Sequence, residues 1–251
     1  MPAGGPRGSI IYVDHALSFP DNFEEAFRTH INETGVVDIG TSIGHRLGDV
    51  FGTGTLKLQS GDLPAGSYEN FFSSSGGILE YAGSSTYDVL NEIPNVNTVV
   101  FSGNGTKSLP NIDVQLYGDL VIDGPAVNNK YNQNLAVMGD IVFDAGSFDA
   151  GTEVDPKVPT VTLNGEARQT ISGNLEFTSS SGGSFYNLEV NNTSGVELLR
   201  NVEVENDLLL TSGDFITSSS SILTINHPAN DAVIGDDSSR FVDDPIQKHI
   251  N

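Results

Sequence analysis

The chain repeats itself, and nothing else in it restricts the fold as much. Asn97-Thr-Val-Val-Phe-Ser-Gly-Asn-Gly-Thr-Lys-Ser-Leu-Pro-Asn-Ile-Asp-Val114 aligns without a gap on Asn187-Leu-Glu-Val-Asn-Asn-Thr-Ser-Gly-Val-Glu-Leu-Leu-Arg-Asn-Val-Glu-Val204. Each copy begins a strand on Asn and turns at a glycine (Gly105, Gly195). Each then reaches a second Asn (Asn111, Asn201) that opens an apolar-polar-apolar triplet. Leu79-Glu-Tyr-Ala-Gly83 matches Val161-Thr-Leu-Asn-Gly165 in the same way. Such units are too small to bury their apolar faces alone, so they must stack on one another. Function is then to be sought along a surface, not in a single pocket.

Strand spacing sets the kind of stack. In the later part, apolar positions that open short strands fall at Leu188, Val196, Val202, Leu208, Phe215 and Leu223. This is tighter than the turn spacing of a sandwich. It suits a coil in which three short strands and three corners complete a rung of roughly 20 residues, each strand pairing in parallel with the one below. The reading is all-β: a right-handed parallel β-helix, or β-solenoid, of about ten rungs and on the order of 50 Å long. The hand follows from the general preference of parallel crossovers. Corners such as Ser102-Gly-Asn-Gly105, Asn191-Asn-Thr-Ser-Gly195 and Thr211-Ser-Gly213 carry residues that enter turn conformations at low cost. Most predicted strands, from Val36–Ile39 to Ile222–Ile225, alternate apolar and polar positions. Leu175–Phe177 is among them.

Residues 1–35 read differently, as an N-terminal cap or linker. Ile10-Ile-Tyr-Val13 is a strand. Asp21 or Asn22 can cap a short helical turn that carries Phe23 and Phe27, with Glu24 and Glu25 at its start. Residues 36–251 form the β-helix domain. Asp144–Pro159 and His227–Asp237 break the rhythm and are predicted to protrude as loops.

Composition narrows the partners. The 33 acidic residues against 11 basic ones give a net charge of -22, which argues against nucleic acid. No apolar run reaches the roughly 20 residues of a membrane helix, so membrane insertion is not expected. There are no cysteines, hence no disulfides, thiol catalysis or cysteine-based zinc sites. Met1-Pro-Ala-Gly-Gly-Pro-Arg-Gly8 lacks the pattern of a signal peptide.

Candidate chemistry is sparse. The five histidines (His15, His30, His45, His227, His249) show no metal-ligand spacing and read as surface or corner residues. Asp231, Asp236, Asp237, Asp243 and Asp244 could gather oxygen ligands for calcium, although they match neither an EF-hand loop nor a β-roll repeat. Solvated carboxylates beside Arg240 or Lys248 are the alternative. Asp144, Asp149, Glu153 and Asp155 form a second acidic loop. Tyr68, Phe71, Phe72, Tyr81, Tyr87, Tyr117 and Tyr131 are either sugar-stacking candidates or core and corner packing. The Asn-x-Ser/Thr triplets at Asn32, Asn104, Asn191 and Asn192 read as turn chemistry. There is no nucleophile elbow or phosphate-binding loop, and carboxylates are too abundant for any pair to point to a glycosidase. No catalytic residue is assigned, and the chain reads as a non-enzyme.

Several longer phrases carry a resemblance. They are Gly54-Thr-Leu-Lys-Leu-Gln-Ser-Gly-Asp-Leu-Pro-Ala-Gly66, Gly76-Gly-Ile-Leu-Glu-Tyr81, Gly105-Thr-Lys-Ser-Leu-Pro110, Phe185-Tyr-Asn-Leu-Glu-Val-Asn-Asn192, Leu208-Leu-Leu-Thr-Ser-Gly213 and Phe241-Val-Asp-Asp-Pro-Ile-Gln-Lys248. From about Val36 onward the chain resembles the repetitive regions of very large adhesin-like cell-surface proteins of Bacteroidota exported by type IX secretion. The resemblance implies a fragment of a longer, secreted surface protein. Its partners would be other segments of that protein and, in a binding role, glycans or surface proteins. It implies no cofactor beyond the calcium considered above. Three functions stand open: a structural or adhesive spacer, a binding module acting through the loops at 144–159 and 227–237, or a polysaccharide lyase or hydrolase.

Overall fold

The computed structural model describes residues 9–19, 26–42, 44–89, 95–154, 156–243 and 245–249. Its strands are all short, and every strand pair is parallel. They wind into a β-solenoid of about 11 turns with essentially no helix. One 3-10 turn, Ser179–Ser181, is the helical element among the described residues.

Three faces make up the solenoid, the third of them starting partway along it. The first carries Ile10–Val13, Arg28–Ile31, Arg46–Phe51 and Ala65–Ser67, then the ladder from Asn95–Val96 to Val233–Ile234. The second carries Ala16–Ser18, Val36–Asp38, Thr55–Leu58, Ile78–Tyr81 and Thr98–Ser102, and ends on Val242–Asp243. The third begins at Tyr87–Asp88 and closes on the stack Val202–Val204, Leu223–Ile225, Ile246–Lys248. Two strands, Leu120–Asn128 and Ile141–Asp149, are long enough to cover the second and third faces together.

Local sequence explains each strand. In Thr55-Leu-Lys-Leu58 the two leucines point inward and are fully buried, while Thr55 and Lys57 are only partly covered. The same in-out alternation recurs in Ile78–Tyr81, Thr160–Leu163, Val196–Leu198 and Leu223–Ile225. Each fully buried Leu, Val or Ile contributes about 1.5–3 kcal/mol, and parallel register places like on like: Leu116, Val137, Leu163 and Val190 form one inward column. Phenylalanines fill one stretch of the interior. Phe177 and Phe185 stack at 4.3 Å, with Phe143 and Phe148 set against Phe177 at 5.2 and 5.5 Å.

The corners are where the sequence does its most specific work. Gly83, Gly103, Gly124 and Gly146 stand above one another between the second and third faces, all at positive φ. A Cβ on Gly124 would lie 2.2 Å from the Gly103 carbonyl oxygen, so the rungs can approach there only on glycine. At the corner before the second face, Thr98 Oγ1 accepts the Asp119 N–H at 3.1 Å and Asp119 Oδ1 accepts the Asp140 N–H at 2.8 Å. Asp140 Oδ1 in turn accepts the Thr170 N–H at 2.7 Å.

Several expectations are corrected. The ladders already include Ile10–Val13, Ala16–Ser18 and Arg28–Ile31, so the stretch set aside as a cap contributes rungs of the same stack. The helical turn expected at residues 21–25 lies outside the described residues; Phe27 is exposed. Residues 144–149 are not loop, because Gly146 bends the strand without ending it and Phe148 returns to the core. Val233–Ile234 likewise pairs with Leu208–Leu209 inside the second expected loop. Leu175–Phe177 is not a strand; Phe177 makes a single bridge to Val202. The repeat itself is out of phase with the rungs. Thr98–Ser102 lies on the second face, whereas the strand at its aligned position, Asn187–Asn191, lies on the first.

Candidate functional site

Along the edge between the third and first faces the connections differ in length. Its connections are short at 109–113, 129–134, 185–186 and 205–207. The two longer ones, 150–159 and 226–232, flank the last two of these short corners. Both interruptions read from the sequence therefore emerge along one edge, with a low step between them.

Four titratable side chains line that step. Glu153 reaches down from the first long connection and its Oε2 accepts the Tyr186 hydroxyl at 3.1 Å. Tyr186 is partly exposed, and its phenol is pushed above its ordinary value by burial first, then by Glu153 and by the charge of Asp207. One rung on, Asp207 Oδ1 lies 3.0 Å from His227 Nδ1, which comes from the second long connection. The buried Asn187 holds the step in place: its Oδ1 accepts the Asp207 N–H at 3.1 Å and Asn206 Nδ2 at 2.9 Å. The Asn206 N–H bonds the Tyr186 carbonyl at 2.9 Å, and Asn226 Nδ2 bonds Glu205 at 2.9 Å.

Both long connections are tied down. Lys157 Nζ donates to the Tyr131 carbonyl at 3.0 Å and lies 3.5 Å from Asn111 Oδ1. Lys248 Nζ donates to the Ala229 carbonyl. The result is a shallow, preorganised row of acceptors with one phenol and one imidazole. It can hydrogen-bond a polar ligand, since Asp207 occupies only Nδ1 of His227 and the His227 side chain is 35% exposed. Among the described residues no serine or threonine hydroxyl is bonded to His227.

The other candidates are dispersed. Asp231, Asp236 and Asp243 are exposed, and Asp243 belongs to a strand on the second face, opposite Ile216. Asp237 closes a turn, accepting the Ser239 N–H at 2.7 Å, the Ser239 hydroxyl at 2.6 Å and Arg240 Nε at 3.1 Å. Those Ser239 bonds, with the Arg240 charge behind them, hold its carboxyl below the usual range. Asp244 and Asp155 lie outside the described residues. Among the described residues no three carboxylate or imidazole groups converge as metal ligands. In the second acidic loop, Asp144 and Asp149 cap backbone N–H groups of Asn174 and Gly151 at 3.0 and 2.9 Å.

Of the aromatic candidates, Tyr68, Phe71 and Tyr81 are core residues, and Phe72, Tyr87, Tyr117 and Tyr131 are partly buried. A row of rings does exist elsewhere, at the exposed Tyr12 and the partly buried His30 and Phe51, where His30 and Phe51 stack at 4.3 Å. Its signal was present as the outward positions of three paired strands, but only the register brings them together. Tyr12 is set against His30 at 5.5 Å with the rings tilted by 54°. Of the two places expected for His45, surface or corner, it takes the corner before Arg46–Phe51 and is fully buried there near Phe19. Asn192 is also buried and bonds the Ala167 carbonyl at 2.6 Å, in keeping with a corner role.

The fold defines a parallel β-solenoid, and the site a polar edge on it. Comparison with family models, with curated proteins and with solved structures found no match.

Proposed function

We propose that this chain is a structural and adhesive β-solenoid segment of a large secreted bacterial cell-surface protein, kin to the repetitive adhesins exported by type IX secretion. The observation that carries this reading is the ladder on the second face, which runs unbroken from Ala16–Ser18 to Val242–Asp243. Parallel pairing over that length makes a stiff spacer, and the net charge of -22 keeps neighbouring rods apart. In this role the chain works beside other segments of the same protein and catalyses no reaction.

A second reading has its own support. The convergence of 150–159 and 226–232 around Glu153, Tyr186, Asp207 and His227 favours a binding module for a neutral glycan or a polar protein surface. The phenol, imidazole and carboxylates supply both donors and acceptors there.

A glycan and surface-protein array probed with the whole chain, with and without calcium, separates the two. The spacer reading predicts no specific signal under either condition. A reproducible signal abolished by Tyr186→Phe together with His227→Ala would replace it with the binding module. Cleavage of an arrayed polysaccharide would overturn both.

A further inference from the structure

Two Asn-Gly pairs occur in the chain, Asn104-Gly105 and Asn164-Gly165. In such a pair the backbone nitrogen of glycine can attack the asparagine side-chain carbonyl carbon, because no Cβ stands in the way. The fold treats the two pairs in opposite ways.

At the second pair the attacking nitrogen is locked. The Gly165 N–H donates to Gln169 Oε1 at 2.7 Å. Gln169 is buried and held by the Val137 and Gly139 carbonyls and by Asn192 Nδ2. Asn164 is itself engaged, donating to Gln115 Oε1 at 3.2 Å.

At the first pair the corner is open. Asn104 and Gly105 are exposed, and among the described residues the Gly105 N–H has no acceptor. One atom of this corner is nevertheless strongly held: the Asn104 main-chain oxygen accepts Lys107 Nζ at 2.7 Å. Lys107 is buried. Its ammonium also donates to the Ser85 carbonyl at 2.7 Å and the Gly83 carbonyl at 3.3 Å, and lies 4.4 Å from the Tyr87 ring centre. Its partners are carbonyls and a ring, with no carboxylate in ion-pair range among the described residues.

We propose that Asn104 is a self-modification site, at which the chain rearranges to isoaspartate under the direction of Lys107. Gly105 N gives its proton to solvent and bonds to Asn104 Cγ. The Cγ–Nδ2 bond breaks, ammonia leaves, and a five-membered succinimide remains. One water then opens the ring. Addition at Cγ would leave ordinary aspartate. Addition at the main-chain carbonyl carbon breaks its bond to Gly105 N, leaves Gly105 attached through Cγ, and turns the former main-chain carbonyl into a free carboxylate. The sum is asparagine plus water to isoaspartate plus ammonia, with no oxidation or reduction. Lys107 holds the oxygen of that very carbonyl, so its charge polarises the carbon that water must attack. The carboxylate formed then supplies the counter-ion the buried ammonium lacks.

The test is ageing of the folded protein at mildly alkaline pH, followed by tryptic peptide mapping with isoaspartate-specific methylation. The peptide spanning 58–107 should accumulate isoaspartate. The peptide spanning 158–168 should convert about tenfold more slowly, the factor expected from breaking one buried hydrogen bond. In urea that difference should vanish, and the share of isoaspartate over aspartate at Asn104 should fall severalfold, because Lys107 no longer sits on the carbonyl. Lys107→Met should lower the same ratio in the folded state; the peptide then runs from 58 to 130. Equal conversion of both pairs in the folded protein, no conversion at Asn104, or a product ratio identical in folded and urea-unfolded chains would overturn the proposal, and the last comparison needs no variant to fold.

Discussion

Asp119 and Asp140 occupy the same corner one rung apart, and the carboxylate of the first accepts the backbone N–H of the second at 2.8 Å. The relation propagates and is not local to one rung. Asp113 Oδ1 accepts the Asn134 N–H at 2.8 Å, and Asn134 Oδ1 accepts the Thr160 N–H at 3.2 Å. Asn201 serves Ile222 at 2.7 Å, and Asp214 serves Phe241 at 3.2 Å. Corner amides that no strand partner reaches are thus satisfied by side chains from the rung before. Part of the acidic excess is therefore structural.

This makes Asp140 a sensitive position. Asp140→Ala removes the acceptor for Thr170 and should cost about 1–2 kcal/mol, as loss of a capping side chain does elsewhere. Asp140→Asn keeps an oxygen in place and should cost less than half as much. Urea unfolding of the two variants checks the order; equal losses would mean that the charge, not the acceptor, matters.

The glycine column predicts a second contrast. Gly146→Ala puts a Cβ 2.1 Å from the Pro125 carbonyl oxygen at a φ of +92°, so backbone must move. It should destabilise by about 3 kcal/mol or more. Gly40→Ala, with φ +58° and nothing within 4 Å of the new atom, carries only the left-handed penalty of about 1 kcal/mol. Thermal melts of the two proteins should differ accordingly.

At high pH the buried phenols should limit stability. Burial holds Tyr68, Tyr81 and Tyr87 well above their ordinary value of 10.0. In the unfolded chain they ionise near that value, so stability is complete below it and is lost as the pH climbs beyond. Lys107 acts in the opposite sense, since burial lowers its pKa and stability rises as the pH approaches the free-lysine value of 10.5. The tyrosinate absorbance of these three residues should appear together with the loss of β-sheet circular dichroism. Their ionisation with the sheet intact would refute the burial argument.

Acid should act through His45. Burial lowers its pKa below 6.5, against a smaller opposing pull from the Ile39 carbonyl. The unfolded state then binds the proton more readily, so this contribution to stability is present above 6.5 and is lost as pH falls below it. The urea midpoint should drop across that range, and His45→Gln should flatten the slope.

Much of the fold was legible. Thr160–Leu163, Val196–Leu198 and Val202–Val204 were readable to the residue, because strict alternation bounded on at least one side by Gly or Asn (Asn164, Gly195, Asn201) leaves one interpretation. The misreadings share a cause. Residues 144–149 read as loop since a glycine inside a strand and a glycine ending one look alike without the neighbouring rung. The polar edge was half legible: both long connections were visible, but not that they flank Tyr186 and Asp207.

Period-two alternation and a strand-to-strand repeat already imply the class of object, a stack of short parallel strands, because such units have no other way to bury their apolar halves. Which strand lies on which of the three faces emerges only when the rungs stack. Alternation distinguishes inside from outside and nothing more, so Thr98–Ser102 and Asn187–Asn191 read as copies yet lie on different faces. Placement on a face depends on the summed lengths of all preceding rungs, which change from 21 residues between Asp119 and Asp140 to 30 between Asp140 and Thr170. That sum brings Glu153, Tyr186, Asp207 and His227 to one edge, and it is expressed only when the rungs close on each other.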